Sequence, residues 1–120
     1  MIITANQMNA FEAQALRSFE HRLVDYIDTG FAGCRAHSGE VIPRGDELEA
    51  RVRELIATAQ SFGITAERGV ANFAVLGLGY ARDFHRVPRV ADMLGNKEQS
   101  PEQNIQRVLN AVIVAEAREA

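Results

Sequence analysis

The 120-residue chain predicts an all-α fold, a single bundle of four main helices and one short helix. Three observations point there. Apolar residues recur three and four positions apart along four stretches, the spacing that gathers them on one face of a helix. Glycines, prolines and capping residues fall between those stretches. Nowhere does strict apolar–polar alternation run between tight hairpin turns, as a sheet would require. The length suits one domain, spanning 1–120, with enough chain to bury a core without cross-links.

The first helix is placed at 5–28. Thr4 and Gln7 have capping-box spacing, and Met8, Phe11, Ala15, Phe19, Leu23 and Ile27 form the buried stripe, widened by Leu16 and Tyr26. Asp25 and Asp28 lie at the end where the helix dipole disfavours anions, which asks for a nearby cation, Arg35 or Arg44. A glycine-rich loop follows at 29–45, and connections of this length are functional or mobile. Asp46 is expected to cap the second helix, whose apolar face is Leu48, Val52, Leu55, Ile56, Ala59 and Phe62. Gly63 suits the left-handed residue that ends it. Glu47 with Arg51, and Glu49 with Arg53, are spaced to pair on its wet side.

Thr65 is expected to start the third helix, with Glu67 in its first turn. Val70, Phe73, Ala74, Gly77 and Tyr80 or Ala81 line one side, while Val75, Leu76 and Leu78 fall elsewhere around the wheel. A helix apolar on most faces belongs at the centre. Pro88 opens a short helix that stops at Gly95. Ser100, Pro101 and Gln103 then supply cap, first position and box partner for the last helix, with Ile105, Val108, Leu109, Val112 and Ile113 as its stripe.

Composition narrows the chemistry. A net charge of −3 with thirteen thinly spread cationic side chains lacks the concentrated basic face that nucleic-acid binding needs. The apolar runs are too short and interrupted to span a bilayer, and the first residues lack the pattern of a secretion signal, so a cytoplasmic location is the default expectation. Cys34 is the lone cysteine and has no disulfide partner within the chain. Gly77 and Gly79 invite a nucleotide reading, but Arg82 stands where a third glycine belongs, and the pair lies late in a helical pattern. Gly77 reads better as a residue that lets a neighbouring helix come close. Cys34 and His37 supply two ligands where a structural zinc needs four, so no metal or cofactor is expected. Asp83 and His85 flank Phe84, yet nothing shows carboxylate and imidazole converging on one substrate, and no enzyme is expected.

The stretch FGITAERGVANFAVLGLGYARDFHRVPRVADML, residues 62–94, resembles small helical proteins encoded beside type VI secretion effectors and spike components of Gram-negative bacteria. The matching positions are Phe11, Phe19, Glu20 and Leu23 in the first helix, Gly63, Ile64 and Thr65 at the turn, and Phe73 and Gly79 in the third helix. Asp83, Phe84 and Pro88 follow, then Leu94, Ser100 and Pro101. Arg89 departs from the pattern, which often carries a tryptophan just after the proline.

The resemblance implies an adaptor or chaperone that binds a secreted effector or toxin, with an immunity protein as the alternative. Such a role needs an exposed apolar surface. Phe31, Tyr80, Asp83, Phe84, Val87 and Val90 are the expected partner-binding residues. The competing reading, that the apolar ones are core, weighs most for Phe84. The acidic residues Asp25, Asp28 and Glu40 are what an immunity protein would turn toward a basic toxin. The apolar girth of the third helix is also compatible with a homodimer.

Overall fold

The computed structural model describes residues 5–119 of the chain, with side chains from 14 to 118. Five α-helices follow one another: α1 (Ala5–Gly30), α2 (Gly45–Ser61), α3 (Glu67–Gly79), α4 (Pro88–Leu94) and α5 (Pro101–Glu119), with a single 3-10 turn, Phe84–Arg86, leading into α4. The all-α bundle expected from the sequence is therefore present, and its five helices sit where the periodicity placed them. Thr4 of the expected first capping box, and the side chains of Gln7, Met8 and Phe11, lie outside the described residues.

Most of the expected faces are buried, but Ala15, Leu16 and Tyr26 of the α1 stripe and Ile113 of the α5 stripe are exposed. Phe19, Leu23 and Ile27 of α1 meet Leu48, Val52, Leu55, Ile56 and Ala59 of α2. Val70, Phe73, Ala74, Leu76 and Leu78 of α3 join them, with Ile105 and Val108 of α5. At the middle of this core the Phe73 and Phe84 rings lie 4.8 Å apart, both fully buried. Burying a side chain of this size contributes about 1.5–3 kcal/mol.

Helix directions follow from polar contacts between elements. Arg53 of α2 donates to Glu20 of α1 at 2.6 Å, and Arg82, just past α3, pairs with Glu54 of α2 at 3.3 Å. The Glu20 hydrogen bond and charge, with Glu49 adding to them, raise the Arg53 pKa above its ordinary value. Because residues 62–66 join the end of α2 to the start of α3, and Arg82 past the other end of α3 returns to Glu54, α2 runs against α3. At the other flank of α3, Glu102 touches its start and Gln106 reaches Asn72 at 3.5 Å, so α5 runs with α3.

Several ends are built differently from the local expectation. Asp46 does not cap α2: the cap position is Arg44, with no side-chain cap bond, and Asp46 sits in the first turn. Arg51 turns to Glu40 at 4.0 Å instead of Glu47, whereas Arg53 does pair with Glu49. Gly63, at φ 82°, closes α2 in the left-handed region as expected. Thr65 does not cap α3. The cap arrives from α5, where a single Glu102 carboxylate oxygen accepts from the backbone N–H groups of Thr65 at 3.0 Å and Ala66 at 3.1 Å. An anion there also meets the positive end of the α3 dipole.

α5 itself starts on the box read from sequence. Gln103 N–H donates to Ser100 Oγ at 3.1 Å, and Ser100 N–H donates to Gln103 Oε1 at 3.0 Å. One residue further on, the buried Asn104 donates to the carbonyls of Leu94 at 3.3 Å and Asn96 at 2.8 Å. The first turn of α5 thereby holds the start of α3 and the end of α4 together.

Candidate functional site

The connection between α1 and α2 is a small hairpin fastened to the end of α3. Phe31 and Ala32 N–H groups both return to the Ile27 carbonyl, at 2.8 and 2.9 Å, and close α1. Gly33 N–H then reaches the Ile42 carbonyl and Ile42 N–H the Cys34 carbonyl, with Arg35 and Val41 forming an isolated antiparallel bridge. Gly39 turns the tip at φ 94°. The tip is fixed by His37 N–H on the Gly79 carbonyl and Ser38 N–H on the Tyr80 carbonyl, both at 2.9 Å. Carbonyls at a helix end need partners from elsewhere, and the hairpin supplies them. The His37 ring stacks on Tyr80 at 4.8 Å, and its Nδ1 lies 3.8 Å from Glu116 near the end of α5.

Arg35 and Arg44 serve this loop. Arg35 donates to the Gly39 carbonyl at 3.0 Å and Arg44 to the Ala32 carbonyl at 3.1 Å, so the pairing expected with Asp25 or Asp28 does not form. Both guanidinium groups hold backbone that has no helix to satisfy it.

Pinning the hairpin leaves an apolar recess between the ends of α1 and α3. Tyr26, Ile27 and Phe31 line one side, Val75, Leu78 and Gly79 the other, and Ile42 closes it. Its volume is about 140 Å³. Ligand pockets run to roughly 300–1,000 Å³, whereas a cavity of about 150 Å³ takes a single benzene ring. The recess is therefore sized for one large apolar side chain. Around its mouth Tyr26 is 60 % exposed, Phe31 44 % and Val75 41 %, with the Tyr26 and Phe31 rings 5.5 Å apart.

The expected partner-binding residues divide. Phe31 stands at the recess. Tyr80 is half-buried beneath His37, and helps to hold the hairpin that shapes it. Val87 is exposed and Val90 half-buried, but both belong to the segment from the 3-10 turn into α4 and do not line the recess. Asp83 is exposed, with Arg86 at 4.0 Å. Phe84 is the correction: it is fully buried against Phe73 and offers a partner nothing. Tyr26, Ile42, Val75 and Leu78 were missed as site residues. The signal for Val75 was its place off the main stripe of α3, and for Tyr26 its place at the edge of the α1 stripe.

The polar candidates do not converge. Asp83 faces Arg86, while His85 packs edge-on to Phe84 at 5.7 Å and Phe62 at 6.2 Å, its Nδ1 buried without a hydrogen-bond partner. Cys34 is exposed. Among the described residues no group of three or more His, Cys, Asp or Glu is placed to hold a metal ion, and no helix is long and apolar enough to cross a membrane. Compared with protein-family models, curated proteins and solved structures, the chain gives no match.

Proposed function

We propose that the chain is a protein-binding module without catalytic chemistry of its own, and, on the resemblance of residues 62–94, that it serves as adaptor or chaperone for a type VI secretion effector. The observation that carries the binding role is the recess framed by Tyr26, Phe31 and Val75, open to solvent and apolar. Single exposed apolar residues are ordinary, but several around one recess mark a contact surface. An apolar side chain of the effector would seat in it, and the surrounding rings would cover the flanking segment.

Co-expression with the effector chain encoded beside it, followed by purification on a tag carried by this protein, tests the reading. The expected result is a co-purified effector that is soluble only in this protein's presence, and loss of capture on Phe31→Asp. Capture through the toxin domain together with rescue of poisoned cells would replace the adaptor by an immunity protein. Recovery of this protein alone would overturn both.

A further inference from the structure

The hairpin beside the recess is held by backbone more than by burial. Of residues 33–45 only Ala36 and Ile42 are buried, and of these Ile42 alone joins the main core. At its tip the His37 and Ser38 N–H groups rest on the carbonyls that end α3, with the His37 ring on Tyr80 and beside Glu116. At its root Ile42 N–H donates to Cys34 at 2.8 Å and Gly33 N–H to Ile42 at 2.9 Å. Segments with few buried apolar contacts and exposed backbone hydrogen bonds open by themselves, ahead of the rest of the fold.

The ends of this segment suit such a motion. Gly33 at φ 85° and Gly45 at φ 59° flank it, and residues that absorb a change of backbone angle at small steric cost serve as hinges. Ile42 couples the segment to the site. It is the hairpin's contribution to the core and also the residue that closes the recess between Tyr26, Phe31 and Val75. A hairpin that swings away takes that wall with it.

We propose that residues 34–44 form a strap that gates the recess, hinged at Gly33 and Gly45 and latched by its tip on the end of α3. Latched, the recess has its volume of about 140 Å³ and admits one apolar side chain. Unlatched, with Ile42 withdrawn, it admits a larger apolar group. The inference rests on the binding reading of the recess, and adds that the state of the strap sets what the recess can take.

Amide hydrogen exchange on the full chain without effector, followed residue by residue by NMR, reads the latch. The N–H groups of His37, Ser38 and Ile42 are expected to exchange through one shared opening, at least about tenfold less protected than Phe73 in α3. His37→Ala, at an exposed position, removes the ring stack and the contact with Glu116. It should speed exchange at Ser38 and Ile42 by one common factor and leave Phe73 as it was. Anilinonaphthalene sulfonate, whose fused rings exceed the latched recess, reads the gate by its fluorescence. Its apparent affinity should rise in His37→Ala by that same factor, since only the unlatched fraction takes it. Ile42 as protected as Phe73, or exchange unmoved by His37→Ala, overturns the strap. Faster exchange with unchanged dye affinity overturns the gating. Each of these results leaves effector capture to its own test.

Discussion

The glycines of α3 are one residue type treated in two opposite ways. At Gly69 an added Cβ would sit 2.0 Å from Glu102 Oε2 and 2.8 Å from Ile64 Cγ2, and at Gly77 it would sit 2.3 Å from Leu55 Cδ2. At Gly79, two residues further on, it would meet nothing within 4 Å. The missing side chain is space already taken in the first two cases and space left open in the third. A glycine in a helix is thus evidence of a neighbour only when that neighbour is inside the same chain. Where none is present, the position faces solvent or something that arrives from outside.

The largest effect is expected at a crowded glycine. Gly77→Val drives a branched side chain into Leu55, itself 3 % exposed and unable to retreat, and should cost about 2–3 kcal/mol. Urea unfolding reads it. A loss below about 0.5 kcal/mol would mean that α2 and α3 are not in the contact that crowds Gly77.

A middle-sized effect sharpens the same comparison by coupling two sites. Glu102→Ala removes the acceptor for Thr65 and Ala66 N–H and should cost about 1–2 kcal/mol, the worth of a helix cap. Gly69→Ala should cost stability in the wild-type chain because its methyl displaces that carboxylate. In the Glu102→Ala background the carboxylate's share of the penalty should vanish while the Ile64 contact remains, leaving a coupling of about 1 kcal/mol in a double-mutant cycle. Additive effects would show that Glu102 does not occupy the space Gly69 leaves.

Whether such features can be read in advance depends on how far the chemistry travels along the chain. Ser100, Pro101 and Gln103 announce the start of α5 because both hydrogen bonds of the box close within four residues. Gly63 announces the end of α2 for the same reason, its φ being a property of one residue. The cap of α3 crosses 37 positions, from Thr65 to Glu102, and no local pattern reports it. The same holds for the hairpin, whose tip is held by carbonyls of Gly79 and Tyr80. Phe31 was legible as a candidate because it follows a helix end inside an irregular stretch. Val75 was not, because a helix apolar on most faces does not say how many neighbours surround it. That number is a tertiary fact.

The smallest effect carries the opposite sign. Gly79 ends α3 at ordinary negative φ, so an alanine there meets no strain and removes freedom from the unfolded chain. Gly79→Ala should stabilise the folded chain by about 0.5–1 kcal/mol, since an alanine is favoured over glycine in a helix by about that amount. The same methyl would stand at the wall of the recess, where Gly79 now leaves room for an incoming group. Stability and effector capture should therefore move apart: a higher urea midpoint, with effector capture no stronger than before. A destabilised Gly79→Ala chain would place an unseen neighbour beside Gly79, and the distinction between crowded and open glycines would fall with it.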